Sequence, residues 1–202
     1  MSNLLDQSVS AFCEATAAKQ STPGGGSVAG VAGALATALS EMSLNYSRGK
    51  KSFADQAELH IQLSSRLTKL RATFLRLIAE DMQAFEMYQQ ATAMEPGLAR
   101  DEAESLALSA CIKIPRDMAE QTLTLLHSLE SLSTCCTKWL ISDLLAAASL
   151  ASATCDLCDF NVRINTTQLP EGDAKRDILA ASTADRKTAR ALFESIEESV
   201  EL

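Results

Sequence analysis

One carboxylate stands where a helical core pattern requires an apolar side chain. Five apolar residues recur at alternating steps of four and three, which predicts the buried seam of a helix: Leu63, Leu67, Leu70, Phe74 and Leu77. The next step reaches Asp81. Burying an unpaired charge is costly, so we expect this carboxyl to be paired, protonated or open to a cavity. Desolvation would raise its pKa, as a general acid or base working near neutrality requires, and a salt-bridged helix carboxylate is the alternative.

A second carboxylate, Asp143, begins a stripe along an alanine-rich segment. Helical spacing places mostly small and polar residues, with one leucine, on the same face: Ala147, Leu150, Thr154, Asn161 and, if the helix continues, Asn165. Such a stripe indicates a lined pocket. The alternative is that Ser142 and Asp143 cap the start of the helix.

The glycine-rich break at residues 23–27 contains Pro23, Gly24, Gly25, Gly26 and Ser27 and opens a predicted helix. Free amides and the helix dipole at such a start can hold an anion. No Gly-Lys-Ser/Thr follows, so the break is not a phosphate-binding Walker loop. A tight turn that uses glycine is the alternative.

Three cations, Arg48, Lys50 and Lys51, follow the same helix. They either complement the dipole at its carboxyl end or form an anion clamp. Trp139, the only tryptophan, either fills the core or stacks on a flat heterocycle.

Composition restricts the class of protein. The net charge is −8 and no dense Lys/Arg block occurs, which argues against nucleic-acid binding. No targeting segment is visible, and the longest apolar runs, 28–39 and 144–155, are too short to span a bilayer. The six cysteines lack the histidines or second pair that a zinc site needs, so we expect small buried thiols in a reducing, cytoplasmic setting and no metal.

The helical periods predict an all-α, up-and-down bundle of five to six long helices in one domain, residues 1–202. The expected segments are 3–18, with apolar positions that include Leu5 and Val9, then 27–47, 52–94, 98–132, 137–161 and 173–198. Pro115 should kink or split the fourth segment. In the second, a stripe of small residues should let another helix approach closely: Gly26, Gly30, Gly33 and Thr37.

Several blocks together resemble the cyclodeaminase/cyclohydrolase family of folate enzymes. They read STPGGGSVA at 21–29, GKK at 49–51, EDMQAF at 80–85, Ile-Pro at 114–115, Ser-Asp at 142–143 and NVRIN at 161–165. The blocks keep the order found in that family and cover nearly the whole chain.

The resemblance implies an all-helical homodimer that acts at the 5,10-methenyl bridge of tetrahydrofolate, with no metal or redox cofactor. The reaction is either hydrolysis of the methenyl group or cyclisation of the formimidoyl group with loss of ammonia. Asp81 and Asp143 are then the acid/base candidates and Lys50 a polarising cation. Substrate would be bound by Lys51, by residues 23–27, and by Asn161, Arg163 and Asn165, which would hold the pterin edge or the glutamate carboxylate.

Two positions depart from the family pattern. The family usually has a Gly-Asn-x-Asn turn before Ser142, where this chain has residues 136–139, Cys-Thr-Lys-Trp, and Leu157 replaces an expected glycine. A folate-binding or scaffolding helical dimer without catalytic activity is therefore the alternative function.

Overall fold

The computed structural model describes residues 6–201, and these residues form six α-helices and no strand. The helices are α1 (Val9–Ala17), α2 (Gly25–Ser47), α3 (Ala57–Thr92), α4 (Leu98–Ser133), α5 (Ile141–Thr166) and α6 (Asp173–Glu198). Short 3₁₀ turns, Lys51–Gln56 and Lys138–Leu140, precede α3 and α5. The predicted all-α class is confirmed. The predicted start of the first helix and Leu5 lie outside the described residues, and α1 begins at Val9 after the capping hydroxyl of Ser8.

Helices α2 to α5 form an up-and-down bundle. Each packs on the next along the chain, and α5 returns to pack on α2, while α6 covers α4 and α5. The predicted seam residues of α3 are all buried and contribute to the core: Leu63, Leu67, Leu70, Phe74 and Leu77. Short connections force consecutive helices to run antiparallel, so the start of α2 lies beside the end of α5.

The small-residue stripe of α2 packs against α3, as predicted. A methyl group added to Gly33 would lie 2.4 Å from the Phe74 ring, and one added to Gly30 would lie 2.5 Å from Ile78. The absence of side chains at these positions lets the two backbones approach closely. The same register places Gly26 opposite Asp81.

Helix α4 runs unbroken through Pro115, so of the two predicted outcomes, a kink or a split, the split does not occur. Proline has no amide hydrogen, so the carbonyl four residues earlier, that of Cys111, loses its helical partner. Asn165 Nδ2 donates to that carbonyl at 2.7 Å. A side chain of α5 thus replaces the missing backbone bond.

Two helices, α2 and the segment Lys138–Thr166, are long and apolar enough to cross a membrane. The apolar runs 28–39 and 144–155 were predicted to be too short to span a bilayer, but the complete helices that contain them are long enough. Long core helices of bundles pass the same test, and both helices are partly buried against each other and their neighbours.

Candidate active site

The Asp81 carboxyl lies against the first turn of α2. Ser27 Oγ, which is fully buried, donates to Asp81 Oδ2 at 3.0 Å. A methyl group on Gly26 would lie 2.0 Å from Asp81 Oδ1, so the carboxyl occupies space that only a glycine leaves free. Burial raises the pKa of Asp81, and the Ser27 hydrogen bond only partly offsets that rise. No ion pair of Asp81 occurs within residues 6–201, so the salt-bridged alternative does not hold there.

The glycine-rich break forms the amino-terminal end of α2. The helix begins at Gly25, two residues earlier than predicted, and Gly24 is its extended N-cap without a side-chain hydrogen bond. The first amides of a helix have no partners within it. The Asp81 carboxyl lies beside Gly26 and Ser27 at this helix start, and its hydrogen bond there comes from the Ser27 side chain. Pro23 is buried next to this start.

Two asparagines of α5 reach the same end of the bundle. The Asn161 amide lies 3.4 Å from where a methyl group on Gly25 would be, and Asn165 holds the Cys111 carbonyl on α4. Helix α5 extends beyond the predicted end at Asn161 as far as Thr166, so Asn165 is helical. Residues from α2, α3, α4 and α5 thus meet around Asp81.

Arg163 does not lie with these asparagines. Two residues along a helix correspond to about 200°, so Asn161 and Asn165 share one face and Arg163 the opposite one. Arg163 Nε donates to the buried Asp159 at 2.7 Å, and its Nη2 donates to Thr183 Oγ1 of α6 at 2.8 Å. Burial alone would raise the pKa of Asp159. Hydrogen bonds from Arg163 and Ser182, together with the charges of Arg163 and Arg186, lower it overall. In this structure Arg163 therefore joins α5 to α6.

Lys50 lies at the far end of the bundle. Its Nζ donates to Thr137 Oγ1 at 2.7 Å, and the Thr137 amide donates to Ser47 Oγ at 2.8 Å. Helix α2 separates this cluster from Gly26 by about 30 Å at 1.5 Å per residue. Lys50 and Asp81 of one chain therefore cannot reach the same small substrate. Lys51 begins the exposed 3₁₀ turn that follows.

Asp143 belongs to the Lys50 end, in the first turn of α5. The N-cap of α5 is Leu140, without a side-chain hydrogen bond, so the alternative that Ser142 and Asp143 cap the helix is wrong. The stripe that Asp143 begins is not a continuous pocket wall, because Ala147 and Thr154 are fully buried in the core. Asp143 and Asn161 accordingly mark two separate ends of one helix.

Several predictions about single residues have a mixed outcome. Trp139 is 75% exposed, so the core-filling interpretation is wrong, and Lys138 Nζ lies 5.1 Å from its ring centroid. Five of the six cysteines are buried, and Cys13 is exposed. Within residues 6–201, no three His, Cys, Asp or Glu side chains are grouped as a metal ion would require.

Two residues near Asp81 were not identified from the sequence. Cys111 was detectable in principle, because it lies four residues before Pro115. Gln168 follows α5 and, with Cys111 and Phe85, lines a pocket of about 120 Å³ that begins one helical turn beyond Asp81 on α3. No sequence signal marks Gln168.

Comparisons with known proteins agree with this architecture. A family model described as formiminotransferase-cyclodeaminase matches residues 8–184. The fold is similar to the crystal structure of formiminotetrahydrofolate cyclodeaminase from Thermotoga maritima, with a TM-score of 0.89, 28% identity, and coverage of 97% of this chain and 96% of that one.

Curated relatives match over part of their own length. Formimidoyltransferase-cyclodeaminase of Rattus norvegicus is 27% identical over 94% of this chain and 37% of its own. Methenyltetrahydrofolate cyclohydrolase of Methylorubrum extorquens is 34% identical over 40% of this chain and 39% of its own. The matches thus span less than two fifths of either relative. Because the family model covers most of the chain and the fold agrees over nearly all of it, the protein belongs to the formiminotransferase-cyclodeaminase family.

Proposed function

We propose that this protein acts on the one-carbon bridge between N5 and N10 of tetrahydrofolate. It either hydrolyses 5,10-methenyl-tetrahydrofolate to the 10-formyl derivative or cyclises 5-formimidoyl-tetrahydrofolate with release of ammonia. The names of its relatives support the folate substrate. The observation that carries the proposal is the partly buried Asp81 carboxyl beside Gly26 and Ser27, whose pKa is raised by desolvation, as proton transfer near neutrality requires.

Both reactions pass through a tetrahedral carbon bonded to two nitrogens. In hydrolysis, Asp81 accepts a proton as water adds to the bridge carbon and returns it to N5 as the carbon–N5 bond breaks, while the remaining hydroxyl proton passes to solvent as the formyl C=O bond forms. In cyclisation, N10 adds to the formimidoyl carbon and its proton passes to the imino nitrogen. The acid form of Asp81 then protonates the resulting amino group, which leaves as ammonia. The carbon keeps its oxidation level throughout, so the proposed reaction needs no redox cofactor, and we propose that proton transfer by the carboxyl suffices without a metal ion.

A homodimer is the second part of the proposal, and the inverted pattern of α2 supports it. The buried residues of α2 are small or hydroxylic except for Leu44. Its large apolar side chains instead lie on the outer face, where Leu35 is 55% and Tyr46 is 62% exposed. The apolar residues of this outer face are Val28, Val31, Ala32, Leu35, Ala38, Met42 and Tyr46, and the polar Glu41 and Asn45 also lie outside the core. A helix with this pattern is stabilised by covering its outer face.

A second copy on this outer face would complete the site. A two-fold axis crossing the middle of α2 makes the two copies of the helix antiparallel, so the start of one lies beside the end of the other. The Lys50 and Asp143 end of one subunit then adjoins Asp81 of its neighbour. Within one chain these groups are separated by about 30 Å, and for that reason we place them in different subunits.

A folate-binding dimer without catalytic activity is the second candidate. Residues 136–139 differ from the turn usual in the family, and this turn adjoins the proposed cation. In the structure the Thr137 hydroxyl still binds Lys50, which supports a functional turn despite the altered sequence.

The experiment that tests the proposal is turnover of both substrates by the purified protein. Loss of the methenyl absorbance above the buffer rate would identify hydrolysis, and ammonia release from the formimidoyl compound would identify cyclisation. Folate binding without either rate would favour the second candidate. The absence of both folate binding and turnover would refute both candidate functions.

A further inference from the structure

A small pocket lies one to two helical turns beyond Asp81 along α3, on the side away from the Lys50 end. Its volume is about 120 Å³, and its walls come from α3, α4 and the end of α5: Phe85, Tyr88, Leu108, Cys111, Ile164, Asn165, Thr167 and Gln168. Phe85 and Tyr88 follow Asp81 by four and seven residues, so they share its face of α3 at about 6 and 10 Å along the helix axis. The pocket is thus within reach of a ligand whose reacting atom contacts Asp81.

Most of the pocket lining is apolar. It includes two aromatic rings, Phe85 and Tyr88, and the aliphatic side chains of Leu108 and Ile164. Aromatic and aliphatic walls of this kind suit a planar ring. Within residues 6–201 the lining contains no Asp, Glu, Lys, Arg or His, so the pocket offers nothing to neutralise a carboxylate. This excludes the glutamate tail of a folate and favours its uncharged ring.

One end of the pocket is rich in hydrogen-bond acceptors. Asn165 Nδ2 is committed to the Cys111 carbonyl, which leaves Oδ1 of the same amide as an acceptor. Thr167 Oγ1 donates its proton to the Ile164 carbonyl at 2.6 Å, which leaves its lone pairs. Gln168 adds an exposed amide with one acceptor oxygen. A ligand edge with neighbouring N–H donors would complement this end.

We propose that this pocket binds the aminopyrimidinone edge of the pterin ring, with Gln168 as a specificity-determining residue that accepts from the 2-amino group. The inference rests on the proposed function, because it names where the same substrate binds. The adjacent ring N–H then faces Asn165 Oδ1, and the apolar walls cover the two faces of the ring. The opposite edge, which carries N5, points towards Asp81.

The test compares equilibrium binding of tetrahydrofolate with that of its 2-desamino-2-methyl analogue. We expect the wild-type protein to bind the analogue about tenfold more weakly, because the acceptor then lacks its donor. In Gln168→Ala that penalty should disappear. Gln90→Ala, which removes the same side chain from an exposed position on the opposite face of α3, should keep the full penalty.

Failure of this inference and failure of the proposed function give different results. An equal penalty in the wild-type protein and in Gln168→Ala, with turnover intact, would place the 2-amino group elsewhere and overturn only the pterin pocket. A wild-type protein that neither binds tetrahydrofolate nor turns over either substrate would overturn the proposed function and the pocket with it. Phe85→Leu provides a second check, because loss of the aromatic wall should weaken both ligands about equally.

Discussion

Asp81 combines two properties that usually exclude each other in a protein core. It continues the apolar seam of α3, yet its oxygens are bound by a buried hydroxyl and accommodated by a glycine. An ionised carboxyl in that position lowers the free energy of unfolding, because the Ser27 hydrogen bond only partly offsets the loss of hydration. The chain retains it at the start of α2, where partners from four helices meet. Such a cost is expected at a site whose chemistry needs a proton donor.

The stability cost of Asp81 should appear in the pH dependence of unfolding. Because the pKa of Asp81 is raised in the folded protein, its contribution to stability is fully present below the unfolded pKa of about 3.9 and is lost as pH rises through the folded pKa. Asp81→Asn lacks this titration. We therefore expect the urea midpoint of Asp81→Asn to rise relative to that of the wild-type protein as pH increases from about 3 to 7.

Asp159 provides a control of opposite sign. Its pKa is lowered in the folded protein, so its contribution is present above the unfolded pKa and is lost as pH falls through the folded value. Asp159→Asn should lower the midpoint most at neutral pH. If the difference in urea midpoint between the wild-type protein and Asp81→Asn does not vary with pH, the pKa of Asp81 is not raised by folding.

Gly26 should be required for activity more than for folding. A methyl group there would displace the Asp81 carboxyl, which is the flexible end of a side chain and can move. We expect Gly26→Ala to remain folded and to lose about 10²-fold in turnover, because displacement of a reacting group by about 1 Å is costly. Gly172→Ala is the matched control, since a methyl group there would have no neighbour within 4 Å. Equal activity of the two variants would contradict this account of Gly26.

At the scale of helices, Pro115 and Asn165 are linked by one hydrogen bond. The proline removes the helical partner of the Cys111 carbonyl and the asparagine replaces it. The sequence contained both residues and predicted a helix disruption, but not the compensation, because that depends on how α5 packs on α4. A similar limit applies to Trp139, whose exposure depends on the packing of the 3₁₀ turn before α5.

A double-mutant cycle measures this link. Asn165→Ala leaves a buried carbonyl without a partner, which should cost about 1–3 kcal/mol in unfolding free energy. Pro115→Ala restores an amide that can bond the same carbonyl within α4. In that background the cost of Asn165→Ala should fall by at least half, measured by urea denaturation. Strict additivity of the two changes would show that Asn165 does not compensate for the proline.

The sequence was most informative where a period or a small-residue stripe determined the packing. The α3 seam and the close approach of α2 to α3 are both confirmed, because side-chain size at regular spacing decides them. It was least informative about which polar residues meet. Asn161 and Arg163 are two positions apart, yet they lie on opposite faces of α5. Lys50 follows the end of α2 and Asp81 lies beside its start, so the two residues are far apart although both are next to this helix.

At the scale of the whole molecule, the proposed dimer joins two ends that one chain keeps apart. If each site uses Asp81 of one subunit and Lys50 of the other, Asp81→Asn and Lys50→Ala are each inactive alone. Random mixing of the two variants should restore about a quarter of the wild-type rate, because half of the dimers then contain one intact site of two. The measurement is turnover after the subunits have been co-refolded.

The restored activity should depend on the outer face of α2. Leu35→Glu in both chains should abolish it and yield monomers in light scattering. Ile61→Glu on α3 is the matched control, since Ile61 and Leu35 are both 55% exposed. If two folded, dimeric variants are mixed and turnover is not restored, the shared site is refuted.

The central claim is that Asp81 transfers the proton in a reaction at the one-carbon bridge of tetrahydrofolate. The most direct test is the rate of methenyl loss and of ammonia release by three proteins measured together: the wild type, Asp81→Asn, and Asp177→Asn, which changes an exposed carboxylate on α6. We expect Asp177→Asn to match the wild type and Asp81→Asn to lose about 10²–10⁴-fold while its helical circular dichroism is unchanged. Wild-type turnover in folded Asp81→Asn would contradict the claim.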